Sequence, residues 1–372
     1  MDKSGTPEFS TADNQKDVQR LLTWFTHKNG GSKLLFYHQD ADGVSSAALL
    51  LKAFPDFKYY AREGPRTEDK FIDWAVTRQP ALMVFVDLPI DQEWKQIEEI
   101  RKRVPGMKVA VIDHHIPEKN LNHKDVVHLN PRFDEPNAYV PAAYMVYDLL
   151  KAMDKDVRPS MWIAAIGIIG DYAFEECAAF MKECSRAFPG LLDGKDVFAT
   201  KLGEAAELVS SSITLKGLHG AGYSLQRLVR AKTFPEFFSD PDLKRWHKSV
   251  REEIDRLIAK YPESHAAYAE AKLIDYEIES QLNIVSVIAS ILSKQNPNNV
   301  IMVRKRSDSG WKLSLRNQKL DVNMGELVKK ASDGIGIGGG HERAAGAFIR
   351  DKDGIDEFRD RLVKELKSAL SK

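Results

Sequence analysis

Val109-Ala110-Val111-Ile112-Asp113-His114-His115 passes in seven residues from an unbroken apolar run to three groups able to bind a metal. Apolar residues without polar alternation predict a strand buried on both faces, which belongs in a parallel sheet. Such sheets take ligands at the carboxyl ends of their strands. Carboxylates and imidazoles crowded at that edge would repel or desolvate one another unless a cation compensated them. Taken alone, the triplet also fits polar residues in an exposed loop.

Other segments end the same way. Lys33-Leu34-Leu35-Phe36-Tyr37 runs into His38-Gln39-Asp40-Ala41-Asp42-Gly43, and Leu82-Met83-Val84-Phe85-Val86 runs into Asp87. Residues 163–170, apolar all round and long enough for a buried helix, end at Asp171. One aspartate after an element is ordinary turn chemistry. Four such endings, two with histidines attached, predict a metal site. Carboxylate and imidazole without thiolate favour Mn²⁺, Mg²⁺ or a similar ion over structural zinc. Cys177 and Cys184 are the only cysteines and lack zinc-finger spacing. Two reduced thiols and the absence of a signal peptide predict a cytoplasmic protein.

His38-x-Asp40-x-Asp42-Gly43, Asp87, Asp113-His114-His115 and Asp171, in this order, resemble the four motifs of the DHH phosphoesterases. Asp40-Ala41-Asp42-Gly43 is similar to the first motif of the RecJ-like exonuclease branch. Trp311-Lys312-Leu313-Ser314-Leu315-Arg316-Asn317 and Gly338-Gly339-Gly340-His341-Glu342-Arg343-Ala344-Ala345-Gly346 resemble the DHH-associated domain that closes over the active site. The resemblance implies two Mn²⁺ ions, with Mg²⁺ or Co²⁺ as substitutes. It makes Asp87 the bridging carboxylate, Asp40 a ligand of one ion, and Asp42, His114 and Asp171 ligands of the other. Asp113 would support the site or complete the first ion's shell, and His115 would face the substrate phosphate. Many members carry a histidine four residues before the first aspartate, where this chain has Phe36. His38 stands two residues before it, as a ligand or as the group orienting a neighbouring carboxylate. Arg316 can fork two hydrogen bonds to a phosphate. Gly338, Gly339 and Gly340 would let backbone N–H groups approach that phosphate, with His341 as a further donor.

The implied activity is phosphodiester hydrolysis by an exonuclease acting on single-stranded DNA or RNA. The alternatives are an oligoribonuclease or small-nucleotide phosphatase, taking short oligonucleotides, cyclic-dinucleotide products or nucleoside bisphosphates. A replication scaffold that has lost catalysis is less favoured, because the ligand set is intact. A second copy of the chain or a replication or repair protein are the expected protein partners.

The remaining sequence predicts an α/β fold with a doubly wound, mainly parallel sheet domain, and the resemblance implies a smaller C-terminal α/β domain with the active site in the cleft between them. Residues 1–15 read as a disordered polar tail, 16–178 as the catalytic domain, 179–271 as a helical connecting segment and 272–372 as the DHH-associated substrate-binding domain. Arg132, in Asn130-Pro131-Arg132, reads equally as near the site or as solvated surface. Lysine plus arginine balances aspartate plus glutamate at 54 each, so no broad basic surface announces duplex DNA. No run of about 18 apolar residues predicts a membrane span.

Overall fold

The computed structural model describes residues 12–27, 31–351 and 353–371. The expected disordered tail lies outside the described residues up to position 11, whereas residues 12–15 already belong to helix α1 (Ala12–Thr26). The chain forms two compact units, Met1–His247 and Lys248–Lys372.

The first unit is built on five parallel strands, β1 (Ser32–His38), β2 (Lys58–Arg62), β3 (Pro80–Val86), β4 (Lys108–Ile112) and β5 (Val126–Leu129), in the order β2-β1-β3-β4-β5. Crossovers run through α2 (Ala41–Ala53), α3 (Asp69–Thr77) and α4 (Trp94–Arg103). Alternation along the strands divides two cores. Leu35, Tyr37, Val84, Val86, Ala110 and Ile112 enter one, while Leu34, Phe36, Met83, Phe85, Val109 and Val111 enter the other. Both faces are therefore covered, which is why these strands read as unbroken apolar runs. The chain adds β2 on one side of β1 and then β3 on the other, so the strand order reverses between β1 and β3. Ligands of open α/β sheets bind at such a switch point.

The helices α5 (Ala142–Ala152), α6 (Met161–Gly170), α7 (Ala178–Ala187), α8 (Lys201–Lys216), α9 (Leu218–Arg230) and α10 (Phe234–Phe238) follow, and then α11 (Pro241–Ser264). α6 is the segment whose composition fitted a buried helix, and its residues 161–169 are all buried. Its two glycines allow close helix packing. A Cβ on Gly167 would lie 2.5 Å from Ala143 Cβ, and one on Gly170 the same distance from Ala41 Cβ.

The second unit holds a mixed sheet of β6 (His265–Tyr268), β7 (Leu273–Glu277), β8 (Val300–Ser307), β9 (Gly310–Asn317), β10 (Gly336–Gly340) and β11 (Ala344–Ile349), in the order β10-β11-β9-β8-β7-β6. Helix α12 (Val285–Gln295) packs on β8 and β9, while α13 (Met324–Ser332) and α14 (Gly354–Leu370) share a core with the sheet. The glycine-rich segment is strand β10, paired antiparallel with β11. Glycine's low strand propensity hides this in the sequence. Packing explains Gly338: a Cβ there would meet Ser332 Oγ at 2.7 Å and Val328 Cγ1 at 2.9 Å. Among the described residues no helix is long and apolar enough to cross a membrane.

Two glycine substitutions separate packing from helix propensity. Alanine gains about 1 kcal/mol over glycine inside a helix, whereas overpacking costs about 1–3 kcal/mol. Gly167→Ala should lower the urea unfolding midpoint. Gly222→Ala, in α9 with nothing within 4 Å of the added Cβ, should raise it. Equal shifts of the same sign would contradict this packing.

Candidate metal centre

The carboxyl edge of the first sheet gathers the acidic residues around the switch point. His38 is the last residue of β1. Asp40 caps α2, its carboxylate accepting the Gly43 N–H at 3.0 Å. A Cβ on Gly43 would sit 2.2 Å from the His38 carbonyl oxygen, so this turn admits only glycine. Asp42 lies in the first turn of α2 and is buried. Its oxygens accept the N–H groups of Ala142 at 2.7 Å and Ala143 at 2.8 Å, two of the unpaired donors that open α5. Asp87 follows β3 with φ +59°, a strained setting for a non-glycine residue, and its N–H donates to the Ile112 carbonyl. Asp113, His114 and His115 follow β4, and Asp171 ends α6 as its C-cap.

These residues converge. His38 Nδ1 lies 2.9 Å from Asp40 Oδ2 and 3.5 Å from Asp87 Oδ2. His114 Nε2 lies 3.3 Å from Asp87 Oδ1, 3.5 Å from Asp171 Oδ2 and 4.0 Å from Asp42 Oδ2. His115 Nδ1 is 2.8 Å from Asp113 Oδ1 and 3.9 Å from Asp87 Oδ1. Three groups of potential ligand atoms result, each within 4.8 Å internally: His38-Asp40-Asp87, Asp42-His114-Asp171 and Asp87-His114-His115. The two oxygens of Asp87 point to different groups.

The charge balance calls for a cation. Burial, then repulsion from Asp40, pushes the Asp87 carboxyl well above the usual range. Burial, then Asp87 and Asp171, does the same to Asp42, and Asp171 is raised chiefly by burial. Burial would also raise Asp40, but the His38 imidazole beside it and the Gly43 N–H hold it low. Desolvation would lower His38, yet the Asp40 and Asp87 carboxylates beside it push it up to about 11. Asp87 Oδ2 and Asp113 Oδ2 are buried without a hydrogen-bond donor. Unsatisfied carboxylate oxygens beside imidazoles suit a divalent ion of the Mn²⁺ or Mg²⁺ type, and these residues fit such a group.

Several supports escape a sequence reading. The Tyr139 hydroxyl donates to Asp171 Oδ2 at 2.9 Å and to the Asp171 carbonyl at 3.0 Å. Asn130 donates to the His115 carbonyl at 2.9 Å, and Arg132 Nε to the His114 carbonyl at 2.8 Å. Arg132 thus belongs to the site's support rather than to the solvated surface. Asn130-Pro131-Arg132 was visible as a motif; Tyr139 carried no local signal.

In the second unit a cavity of about 410 Å³ brings together Arg316, Gly340 and His341 with Ser286, Lys312 and Ser314. Arg316 Nη2 donates to Ser286 Oγ at 2.7 Å and Nη1 to Ser314 Oγ at 3.0 Å. Gly338 and Gly339 do not line it. Gly338 packs against α13, and a Cβ on Gly339 would meet nothing within 4 Å.

Two family models match the chain, the DHH family N-terminal domain over residues 34–170 and the DHHA1 domain over residues 268–368. No curated protein matches it. Among solved structures it is similar to RecJ from Thermus thermophilus in complex with Mn²⁺, with TM-score 0.71 and 18% identity over 98% of this chain. The chain spans 55% of that RecJ. A manganese-bound exonuclease RecJ matches with TM-score 0.67 and 18% identity, over 97% of this chain and 95% of the other. CDC45 from Entamoeba histolytica matches with TM-score 0.58 and 9% identity, over 95% of this chain and 99% of the other. At these identities the structural likenesses speak for the fold alone. With both family models and the motif geometry in agreement, the chain belongs to the DHH phosphoesterases, a family of metal-dependent hydrolases, and carries a C-terminal DHHA1 domain.

Proposed function

We propose that this chain is a metal-dependent phosphodiesterase that removes nucleotides from an end of single-stranded DNA or RNA, with two Mn²⁺ ions sharing Asp87. The observation that carries this reading is the division of the Asp87 carboxylate, Oδ2 toward His38 and Oδ1 toward His114. His38 and Asp40 would complete one ion's ligands, and Asp42, His114 and Asp171 the other's. When bound, such ions neutralise the anionic diester and lower the pKa of water toward neutrality. Mg²⁺ or Co²⁺ would substitute.

The chain's own groups do the positioning. Asp113 engages His115 Nδ1, which leaves the other ring nitrogen to meet a phosphate oxygen. The imidazole is half-exposed, as a substrate-facing group must be. Tyr139 fixes Asp171 through its hydroxyl. In the DHHA1 domain Arg316, held by serine hydroxyls, would bind a substrate phosphate, with His341 beside it. Formal neutrality, with 54 charges of each sign, favours single strands or short oligonucleotides over duplexes. Trimming of very short RNA is therefore the second reading. The complete ligand set weighs against a non-catalytic scaffold.

Purified protein with Mn²⁺ should hydrolyse end-labelled single strands. Asp87→Ala should lower kcat/KM by more than about a hundredfold, since it removes the carboxylate proposed to be shared by the two ions. Failure of the parent chain to cleave oligonucleotides, dinucleotides or nucleoside bisphosphates with any divalent ion would overturn the proposal. Product ladders from 5′- and 3′-labelled strands of graded length read out polarity and length preference. Arg316→Ala should raise KM roughly tenfold or more, the worth of a charged hydrogen bond, with Mn²⁺ uptake unchanged. Loss of bound metal in that variant would contradict the role given to Arg316.

A further inference from the structure

Beside the metal centre, the first unit holds a cavity of about 580 Å³ that the catalytic reading does not use. Its wall is the edge strand β2. Three aromatic rings form a ladder across the sheet to that edge. Phe85 stacks on Phe36, with centroids 5.1 Å apart and planes at 19°, and Phe36 stacks on Tyr60 at 5.6 Å and 23°. Each pair sits in direct strand register. Tyr60 is the terminal ring: no strand pairs beyond β2 among the described residues, and the half-buried ring lines the cavity. Trp74 of α3 meets Tyr60 at 89° with centroids 4.9 Å apart.

The cavity is tied to the metal centre through the backbone. Arg62, the last residue of β2, is in register with His38, about one strand spacing of 4.8 Å away. Its carbonyl accepts the N–H of Gln39, the residue between His38 and Asp40. The Arg62 side chain donates to the Gly64 and Arg66 carbonyls and lies over the Phe71 ring, which fixes the loop after β2. Arg66 and Lys70 also line the cavity and form no ion pair among the described residues. Glu63 and Glu68 line it too, and Glu93 compensates the Arg62 charge from beside the loop, which leaves Arg66 and Lys70 as the cations at the rim.

We propose that this cavity binds a nucleobase of the substrate as the fourth ring of the ladder, stacked on the outer face of Tyr60, with Arg66 and Lys70 toward the adjoining phosphate. An aromatic floor, a mainly apolar lining, a size ordinary for a small-molecule site and two cations at the rim free of ion pairs among the described residues suit a planar ring attached to an anion. Stacking of this kind tolerates any base, because every base offers a π-face. The inference rests on the phosphodiesterase reading and names a subsite for it.

The test measures binding rather than cleavage, so its failure is separable from failure of the catalytic reading. Affinities of the full chain for adenosine 5′-monophosphate and ribose 5-phosphate are compared in the presence of Mn²⁺. Both carry the same phosphate, so their ratio isolates the base. The expected ratio is roughly five- to a hundredfold in favour of the nucleotide, the range for one base on one aromatic ring. It should persist in Tyr60→Phe and fall toward unity in Tyr60→Ala. Saturation-transfer NMR on the unaltered chain reads the same contact without any variant, with strong transfer to the adenine protons expected. Equal affinity of the parent for both ligands, an unchanged ratio in a folded Tyr60→Ala, or no transfer to adenine would overturn the proposal.

Discussion

Burying the Asp87 carboxylate is the constraint on which the working edge of the first unit depends. The residue is 1% exposed, sits at φ +59° and has neighbouring carboxylates pointed at it. An uncompensated charge in such a place costs several kcal/mol. The surrounding sheet is arranged around that cost. Reversal of strand order between β1 and β3 opens a gap at their carboxyl ends. Two amides of α5 satisfy Asp42, the Gly43 amide satisfies Asp40, and the imidazoles of His38 and His114 face the two Asp87 oxygens. What these groups leave unanswered is negative charge, which a divalent cation would answer. Strain and unsatisfied oxygens collected at one point mark a site kept for chemistry rather than for stability.

The sequence made the strands and their acidic ends legible for one reason. A strand buried on both faces must be apolar throughout, so the first polar residue after it marks the sheet edge. That logic reached Asp87 and Asp113 directly. It was less apt for Asp40 and Asp171, which cap helices rather than end strands. A helix buried all round has no periodicity, so α6 could be placed only by its length. The Gly336–Gly340 strand was not legible, because glycine disfavours strands and its purpose here is the close approach of α13. Tyr139 was invisible for a different reason. Its partner Asp171 lies 32 residues away, and only the assembled fold brings the hydroxyl to the carboxylate.

The DHHA1 domain shows the same division between pattern and packing. Arg316, Gly340 and His341 meet in one cavity, while Gly338 serves the sheet's contact with its helix. The serines that hold Arg316 come from α12 and from its own strand β9. They hold the guanidinium in place, so the phosphate proposed for it would meet a donor already ordered, which reduces the cost of binding. The aromatic ladder ending at Tyr60 has a comparable property: its rings are already stacked, so a planar ligand would meet a finished surface.

The central claim is that Asp87 is shared by two metal ions. Anomalous diffraction from crystals grown with Mn²⁺ tests it most directly. The account predicts two manganese peaks about 3.5–4 Å apart, one beside each oxygen of Asp87. A single peak, no peak, or peaks remote from Asp87 would contradict it.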